Sequence, residues 1–454
     1  MSRNTAAGII GAAIAVWFFC FGGGPLHGAG RAQDVYDSLK TFSDVLTLVQ
    51  SSFVDEVDPK KLIQDAIQGM VSRLDPHSGY LPPDMYREMQ VETKGSFGGV
   101  GIEITISDDV LTVIAPIEDS PAFNAGIKTG DKIVKIENES TKNMTMLDAV
   151  KRMRGKQGSM LRVSIMREGF KEPKVFTLKR DIIKIKCVKV RKLDEQFYCI
   201  RITQFQESTA EEFRKAVRNI RAEMPALKGI VLDLRGNPGG LLDQAVKISD
   251  EFIDEGLIVY TEGRLESQKM QFSAKKDSST LTCPVVVLVN SGSASAAEIV
   301  AGALQDHNKA ILVGTQTFGK GTVQTIYPLS DGSGLRITTS KYYTPSHRSI
   351  QEKGITPDVT VEDTLDMFIV GDKKTKAVRE KDLVSQFKKG GPGTDETADE
   401  NDVPDGSKEL PAPGPGAQPA HKDSAQHIDK PMDTAVNVLK NWETFSKSLG
   451  KKSS

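Results

Sequence analysis

Residues 290–300 read NSGSASAAEIV, which places three serines, Ser291, Ser293 and Ser295, within five positions. A serine hydroxyl does covalent chemistry only when a neighbouring base takes its proton. The apolar run VVVLV precedes the stretch and a helical pattern begins near Ala296. The serines therefore stand where a strand passes into a helix. A hydroxyl there meets the positive end of the helix dipole and unpaired backbone N–H groups, and such groups can hold an oxyanion. Serines at a helix start are more often caps. Ser291 and Ser293 fit that role, and position alone gives Ser295 only a modest edge as nucleophile. The hydrolase pattern Gly-x-Ser-x-Gly is absent, because Ser293 and Ala297 occupy its glycine positions.

Two kinds of base are available. Of the six histidines, His27 falls in the N-terminal apolar region and His421 and His427 in a low-complexity stretch. A Ser-His-Asp arrangement would have to use His77, His307 or His347, none of which has a strand-end or glycine-rich context. No His-Glu-x-x-His run is present to suggest a zinc hydrolase. Lysine is the other base. Residues 314–324, GTQTFGKGTVQ, set Lys320 between two glycines, which allow close backbone approach. A lysine desolvated in this way gives up its charge more readily. The stretch nearly matches a P-loop, but Gly321 stands where the metal-binding hydroxyl belongs and TVQTIYPL is strand-like. A second glycine turn, DLRGNPGGLL at 233–242, joins a buried strand to a helix. It is either a plain tight turn or a source of oxyanion N–H groups through Gly239 and Gly240.

The elements that must carry these residues follow from periodicity. The chain has 454 residues, 38% hydrophobic and 26% charged, with a formal net charge of -1. That is room for two or three domains, and no global charge draws nucleic acid or an anionic membrane. Residues 6–24 carry no charge. The sequence predicts a signal peptide cleaved after Ala32 or a retained membrane anchor over 1–32, hence an exported protein of the periplasm or cell envelope. Residues 33–94 read as an N-terminal helical region, with LDPHSGYLPP as a turn-rich break. Period-two patterning over 95–180 gives a compact module of five or six strands and one or two helices. Residues 181–388 alternate unbroken apolar strands with helices, an α/β layering. Residues 389–431 are too polar and proline-rich to bury a core and read as a disordered linker. A C-terminal helix and tail follow over 432–454, with Val436, Leu439, Trp442 and Phe445 on one stripe; it serves either assembly or its own core. Cys187 and Cys199 lie in two strand-like runs and are either bridged or two buried thiols.

In order along the chain, LDPHSGYLPP, FGGVGIEI, GIKTGDKIVKIE, DLRGNPGGLLDQAV, NSGSASAAEIVAGALQDH and TFGKGTVQT resemble the carboxyl-terminal processing peptidases, the tail-specific serine proteases. The likeness covers roughly residues 35–361. It implies a multidomain α/β and α+β protein: the helical region, a PDZ domain (a small β-barrel with helices) and a crotonase/Clp-like peptidase core. It implies Ser295 as nucleophile and Lys320 as its base, 320 − 295 = 25 residues on, with Gln324 orienting the lysine. The oxyanion donors would be the N–H of Ala296 and one from Gly239 or Gly240. A PDZ groove binds a peptide as an added strand and holds its carboxylate on backbone N–H groups, here within Gly98, Gly99, Val100, Gly101 and Ile102.

The expected function is an exported serine endopeptidase that recognises proteins by apolar or unstructured C-terminal tails and works through a Ser-Lys dyad and an acyl-enzyme. No cofactor, metal or nucleic acid is called for. An adaptor protein and a homo-oligomer are allowed by family analogy alone. The competing classes are a PDZ scaffold with an inactive core and a crotonase-like acyl-CoA enzyme. The intact serine, lysine and glutamine weigh against the first, and the export signal against the second.

Overall fold

A computed structural model describes residues 27–107, 109–275, 280–362, 367–370, 373–389 and 429–450. The apolar run at 6–24 and nearly all of the linker expected at 389–431 lie outside them. Among the described residues, no helix is long and apolar enough to cross a membrane. The chain divides into two compact units, Met1–Val71 and Ser72–Ser454.

The first unit consists of α1 (His27–Ser52) and α2 (Pro59–Val71). Asp58 caps α2, its Oδ1 accepting the Lys60 N–H at 2.9 Å, and Pro59 supplies a φ already suited to the first turn. The helical spacing of Val35, Leu39, Phe42, Val45 and Leu48 forms an exposed stripe on α1.

The second unit starts with β1 (Gly79–Leu81), α3 (Pro83–Lys94) and β2 (Ser96–Gly99). β1 was not expected, since LDPHSGYLPP reads as a turn; its pairing partner lies far along the chain, Gly79 facing Arg336. The period-two module then forms β3 (Ile102–Ser107), β4 (Val110–Pro116), the single turn α4 (Pro121–Asn124), β5 (Lys132–Ile136), β6 (Glu139–Ser140), α5 (Met146–Met153), β7 (Met160–Met166) and β8 (Lys174–Lys179). Their sheet runs β3-β4-β5-β7-β8, with β6 on β5. Alternate residues such as Val163 and Ile165 fill its core, as the two-residue side-chain period requires. Thr145 caps α5, its hydroxyl accepting the Asp148 N–H. The run IIKIKCVKV is broken in two. Its first part, β9 (Asp181–Lys184), pairs back onto β2, and its second, β10 (Val188–Lys192), enters the larger α/β core.

That core continues through β11 (Phe197–Ile202), α6 (Thr209–Glu223), β12 (Gly229–Asp233), α7 (Leu242–Asp250), β13 (Gly256–Gly263), β14 (Met270–Ala274), β15 (Val285–Val289), α8 (Ala296–Asp306), β16 (Ala310–Gly314), β17 (Thr322–Pro328), β18 (Gly334–Tyr343) and β19 (Val359–Thr360). The main sheet is ordered β10-β11-β12-β15-β16-β19 and is parallel from β11 onward. A second sheet, β1-β18-β13-β14 with β17 on β18, stands beside it. The hairpin of β20 (Met367–Val370) and β21 (Lys373–Lys376) leads to α9 (Glu380–Lys389).

Strand β15 shows why the apolar runs are unbroken. Val285, Val287 and Val289 face the core built with α6, α7 and α8. Val286 and Leu288 face a second core closed by α10 (Lys430–Lys440) and α11 (Trp442–Ser448). Both faces are dry, so neither carries polar residues. The C-terminal helix thus packs on its own chain, Leu439 and Trp442 buried and Val436 and Phe445 packed beside them. Cys187, Cys199 and Cys283 are free thiols. Cys187 Sγ lies 3.0 Å from Thr209 Oγ1, and Cys199 pairs with Arg191 on β10 and Val231 on β12. Burial pushes the thiols up, Cys187 to about 11 and Cys199 to about 12.

Candidate active site

Three adjacent parallel strands, β12, β15 and β16, end on the same edge of the main sheet. Each releases one of the loops singled out by sequence: 234–241, 290–295 and 315–321. Carboxyl ends of parallel strands are where α/β sheets hold their ligands. The crossover α8 forces the serine and lysine loops side by side although they are separated in sequence.

Ser295 is the N-cap position of α8, with φ 54 and ψ -116. A non-glycine residue rarely adopts this backbone, and strain of this kind costs about 1–3 kcal/mol. It turns a sharp strand-to-helix corner without the glycines of the hydrolase elbow. Glu298 holds the corner, its Oε2 accepting the Ser295 N–H at 2.8 Å. Ser293, in contrast, is fully buried. Its hydroxyl donates to the Leu234 carbonyl at 2.8 Å and accepts the Asn290 N–H at 3.0 Å. It fixes the loop rather than capping the helix, as the sequence had suggested.

The glycine-flanked lysine loop lies against the same carboxylate. Glu298 Oε1 accepts from Thr317 Oγ1 at 2.5 Å and from the Gly319 N–H at 2.7 Å, while Oε2 accepts the Lys320 N–H at 2.9 Å. One buried side chain thus joins the backbone of the serine to the backbone of the lysine. Burial pushes the Glu298 carboxyl up to about 7, against the pull of its four donors. Burial likewise lowers the Lys320 pKa, helped by the nearby Arg336 and opposed by Glu380, Asp75 and Glu298. Tyr342 reaches the lysine loop, its hydroxyl donating to the Lys320 carbonyl. Gln324 Nε2 donates to Thr322 Oγ1 at 2.9 Å and Thr338 Oγ1 at 3.4 Å, so its bonds do not run to the Lys320 amine.

Glu298 and Tyr342 were missed by the sequence reading. Glu298 had a signal, the Ser-x-x-Glu spacing of a capping box; Tyr342, in a strand with no special neighbours, had none. Two of the three eligible histidines serve elsewhere. His307 Nε2 meets the Leu257 carbonyl at 2.7 Å and His347 Nδ1 the Tyr260 hydroxyl at 3.0 Å. His77 is paired with Glu380, which lies near Lys320.

The glycine turn packs directly on the serine. A Cβ added to Gly239 would stand 2.7 Å from Ser295 Cβ. The Gly239 N–H already donates to Asn237 Oδ1 at 2.9 Å. The N–H groups of Gly240 and Ala296 have no acceptor among the described residues. Arg235, at the base of this turn, is buried between Asp233 and Asp429, the latter capping α10.

A separate groove lies in the smaller module, lined by Phe97, Gly99, Val100, Gly101, Ile102 and Ile104 and, across from them, Val150 and Met153 of α5. β3 is an edge strand there. The Val100 and Gly101 N–H groups have no acceptor among the described residues. Gly101 has φ 73 and an added Cβ would meet Ser120 Cβ at 2.3 Å, so only glycine fits. Gly98 serves the framework instead, its carbonyl accepting the Gly155 N–H at 3.0 Å. Among the described residues no cluster of three or more metal-ligating side chains occurs.

Comparison with known proteins assigns the parts. The profile of peptidase family S41 matches residues 197–361, that of the PDZ domain 88–166, and that of the activating protease CtpB N-terminal domain 26–84. A carboxy-terminal-processing protease of Bartonella bacilliformis is 47% identical over 335 residues, covering 73% of this chain and 77% of that one. The carboxy-terminal processing protease CtpA of Bacillus subtilis is 36% identical over 355 residues, 77% of this chain and 74% of its own. Among solved structures, the photosystem II D1 C-terminal processing protease is 29% identical with a TM-score of 0.42, over 71% of this chain and 92% of that one. With a strained serine at a strand-to-helix corner, a desolvated lysine tied to it and a PDZ module ahead of both, the chain belongs to the carboxy-terminal processing proteases, serine peptidases of family S41.

Proposed function

We propose that this enzyme is an exported endopeptidase that grips the apolar or unstructured C-terminal tail of a protein in its PDZ groove and cleaves the chain with a Ser295–Lys320 dyad. The tail would add a strand to β3, its carboxylate on the N–H groups of Val100 and Gly101. Ser295 Oγ attacks the scissile carbonyl while neutral Lys320 Nζ takes the hydroxyl proton. The N–H groups of Ala296 and Gly240 stabilise the oxyanion, Gly240 being preferred to Gly239 because its N–H is uncommitted. The proton passes to the leaving amine, and water then hydrolyses the ester formed on Ser295. Gln324 supports the lysine loop through Thr322. The apolar N-terminus would direct export, and an adaptor or a second copy would act through surfaces outside the dyad.

The observation that carries this reading is the Glu298 carboxylate, which binds the serine backbone and the lysine backbone at once. Ser295→Ala and Lys320→Ala should each lower casein hydrolysis at least about 10³-fold with an unchanged melting transition. Activity lost in Ser293→Ala but kept in Ser295→Ala would sink the assignment.

A further inference from the structure

Lys320 stands between two glycines, and a backbone so permissive needs ties from outside to aim a side chain. Glu298 supplies the ties on one side. On the other side the loop is held by groups that the dyad does not use. The Gly321 N–H donates to Gln351 Oε1 at 2.9 Å, and Gln351 Nε2 donates to Glu380 Oε1 at 2.7 Å. The Glu380 N–H donates to the Phe318 carbonyl at 3.2 Å, so both ends of residues 318–321 are fastened. Glu380 is fully buried, and its two oxygens lie 2.8 and 2.9 Å from His77 Nε2. His77 is fixed in turn: its N–H donates to Asp75 Oδ1 at 2.8 Å, and its carbonyl accepts from Arg336 Nε at 2.8 Å.

We infer that His77, Glu380 and Gln351 form a positioning relay that aims the Lys320 amine, with His77 serving as a hydrogen-bond donor to a buried carboxylate and not as a base. A carboxylate with no exposed surface must be compensated, and the imidazole and the Gln351 amide do this together. The relay brings three distant segments, 75–78, 351 and 380, to bear on one loop. Loss of any member would free the loop's outer edge and displace the amine; a misplacement of about 1 Å costs roughly 10²-fold in rate. The inference rests on Lys320 being the base.

The test uses the full chain, casein as substrate, labelling of Ser295 by a serine-reactive phosphonate, and the melting transition as a control for folding. Glu380→Gln and Gln351→Ala should lower kcat and the labelling rate about 10- to 100-fold, with KM within about twofold. His77→Gln, which can donate a hydrogen bond but cannot accept the serine proton, should stay within a few-fold of the parent, and His77→Ala should fall with Glu380→Gln. If Glu380→Gln and Gln351→Ala keep the parent kcat while Lys320→Ala is inactive, the relay is wrong and the dyad stands. If His77→Gln is inactive while Lys320→Ala still cleaves, the imidazole is the base and both readings fail.

Discussion

The PDZ groove and the peptidase site both present backbone N–H groups without an acceptor among the described residues, but they are built in opposite ways. The groove comes from short contiguous pieces, the 97–104 segment and α5, and leaves a strand edge and an apolar trough open. The peptidase site is assembled from three loops on three strands and locked by a buried carboxylate. A groove that selects by adding a strand can stay adaptable, because main-chain pairing tolerates many sequences. A site that moves a proton must hold donor and acceptor to within a fraction of an ångström. The difference separates recognition from chemistry, and each prediction tests that separation.

Outside Ser295 and Lys320 themselves, the largest effect should come from Glu298. Glu298→Gln retains the shape but turns an acceptor into a donor facing backbone N–H groups, and kcat on casein should drop about 10²-fold with KM little changed. Glu298 and the half-buried Lys320 set the pH behaviour. If Lys320 is the base, as proposed, it acts only when neutral, and its lowered pKa predicts that kcat/KM rises with pH and levels off below the usual lysine value of about 10.4. Stability runs the other way at Glu298. Its folded pKa of about 7 is raised, so its contribution is present below the unfolded value near 4.3 and is lost as pH rises through about 7. Urea midpoints at pH 5 and pH 8 should therefore differ more in the parent than in Glu298→Gln.

In the groove, Ile104→Asp places a charge in the apolar trough. It should raise KM for casein about tenfold, a cost of roughly 1.4 kcal/mol, and leave phosphonate labelling of Ser295 unchanged; a matching loss of labelling would mean that the two regions are not separable. The smallest effect is expected at the edge of the 234–241 glycine turn. Asp429→Ala removes one carboxylate partner of the buried Arg235, but Asp429 is 40% exposed, so the loss should be about 1 kcal/mol, read as a lower urea midpoint with kcat within a few-fold.

The groove was legible because its signals are local. Gly101 is required by a positive φ, Thr145 and Asp148 mark the start of α5, and alternation marks each strand. Ser295 and Lys320 were readable only as alternatives among three serines and two kinds of base until family motifs chose between them. Gln324 was expected to orient the lysine, yet its amide bonds run to Thr322 and Thr338. β1 was read as a turn because a three-residue strand has no pattern of its own, and its partner strand begins at Gly334.

Sequence alone determined the order of the parts, the strands whose two faces are both buried, the caps and glycines, and the residue types able to do acyl chemistry, since all of these arise from neighbours within a few positions. Tertiary structure alone decided that Ser293 fastens a loop while Ser295 carries the strained corner, that Gly239 and Gly240 differ in their N–H partners, and that Glu298, Tyr342 and the His77–Glu380 pair gather around Lys320. Those outcomes depend on which strands lie side by side and which groups are sealed from water, and both are properties of the folded chain.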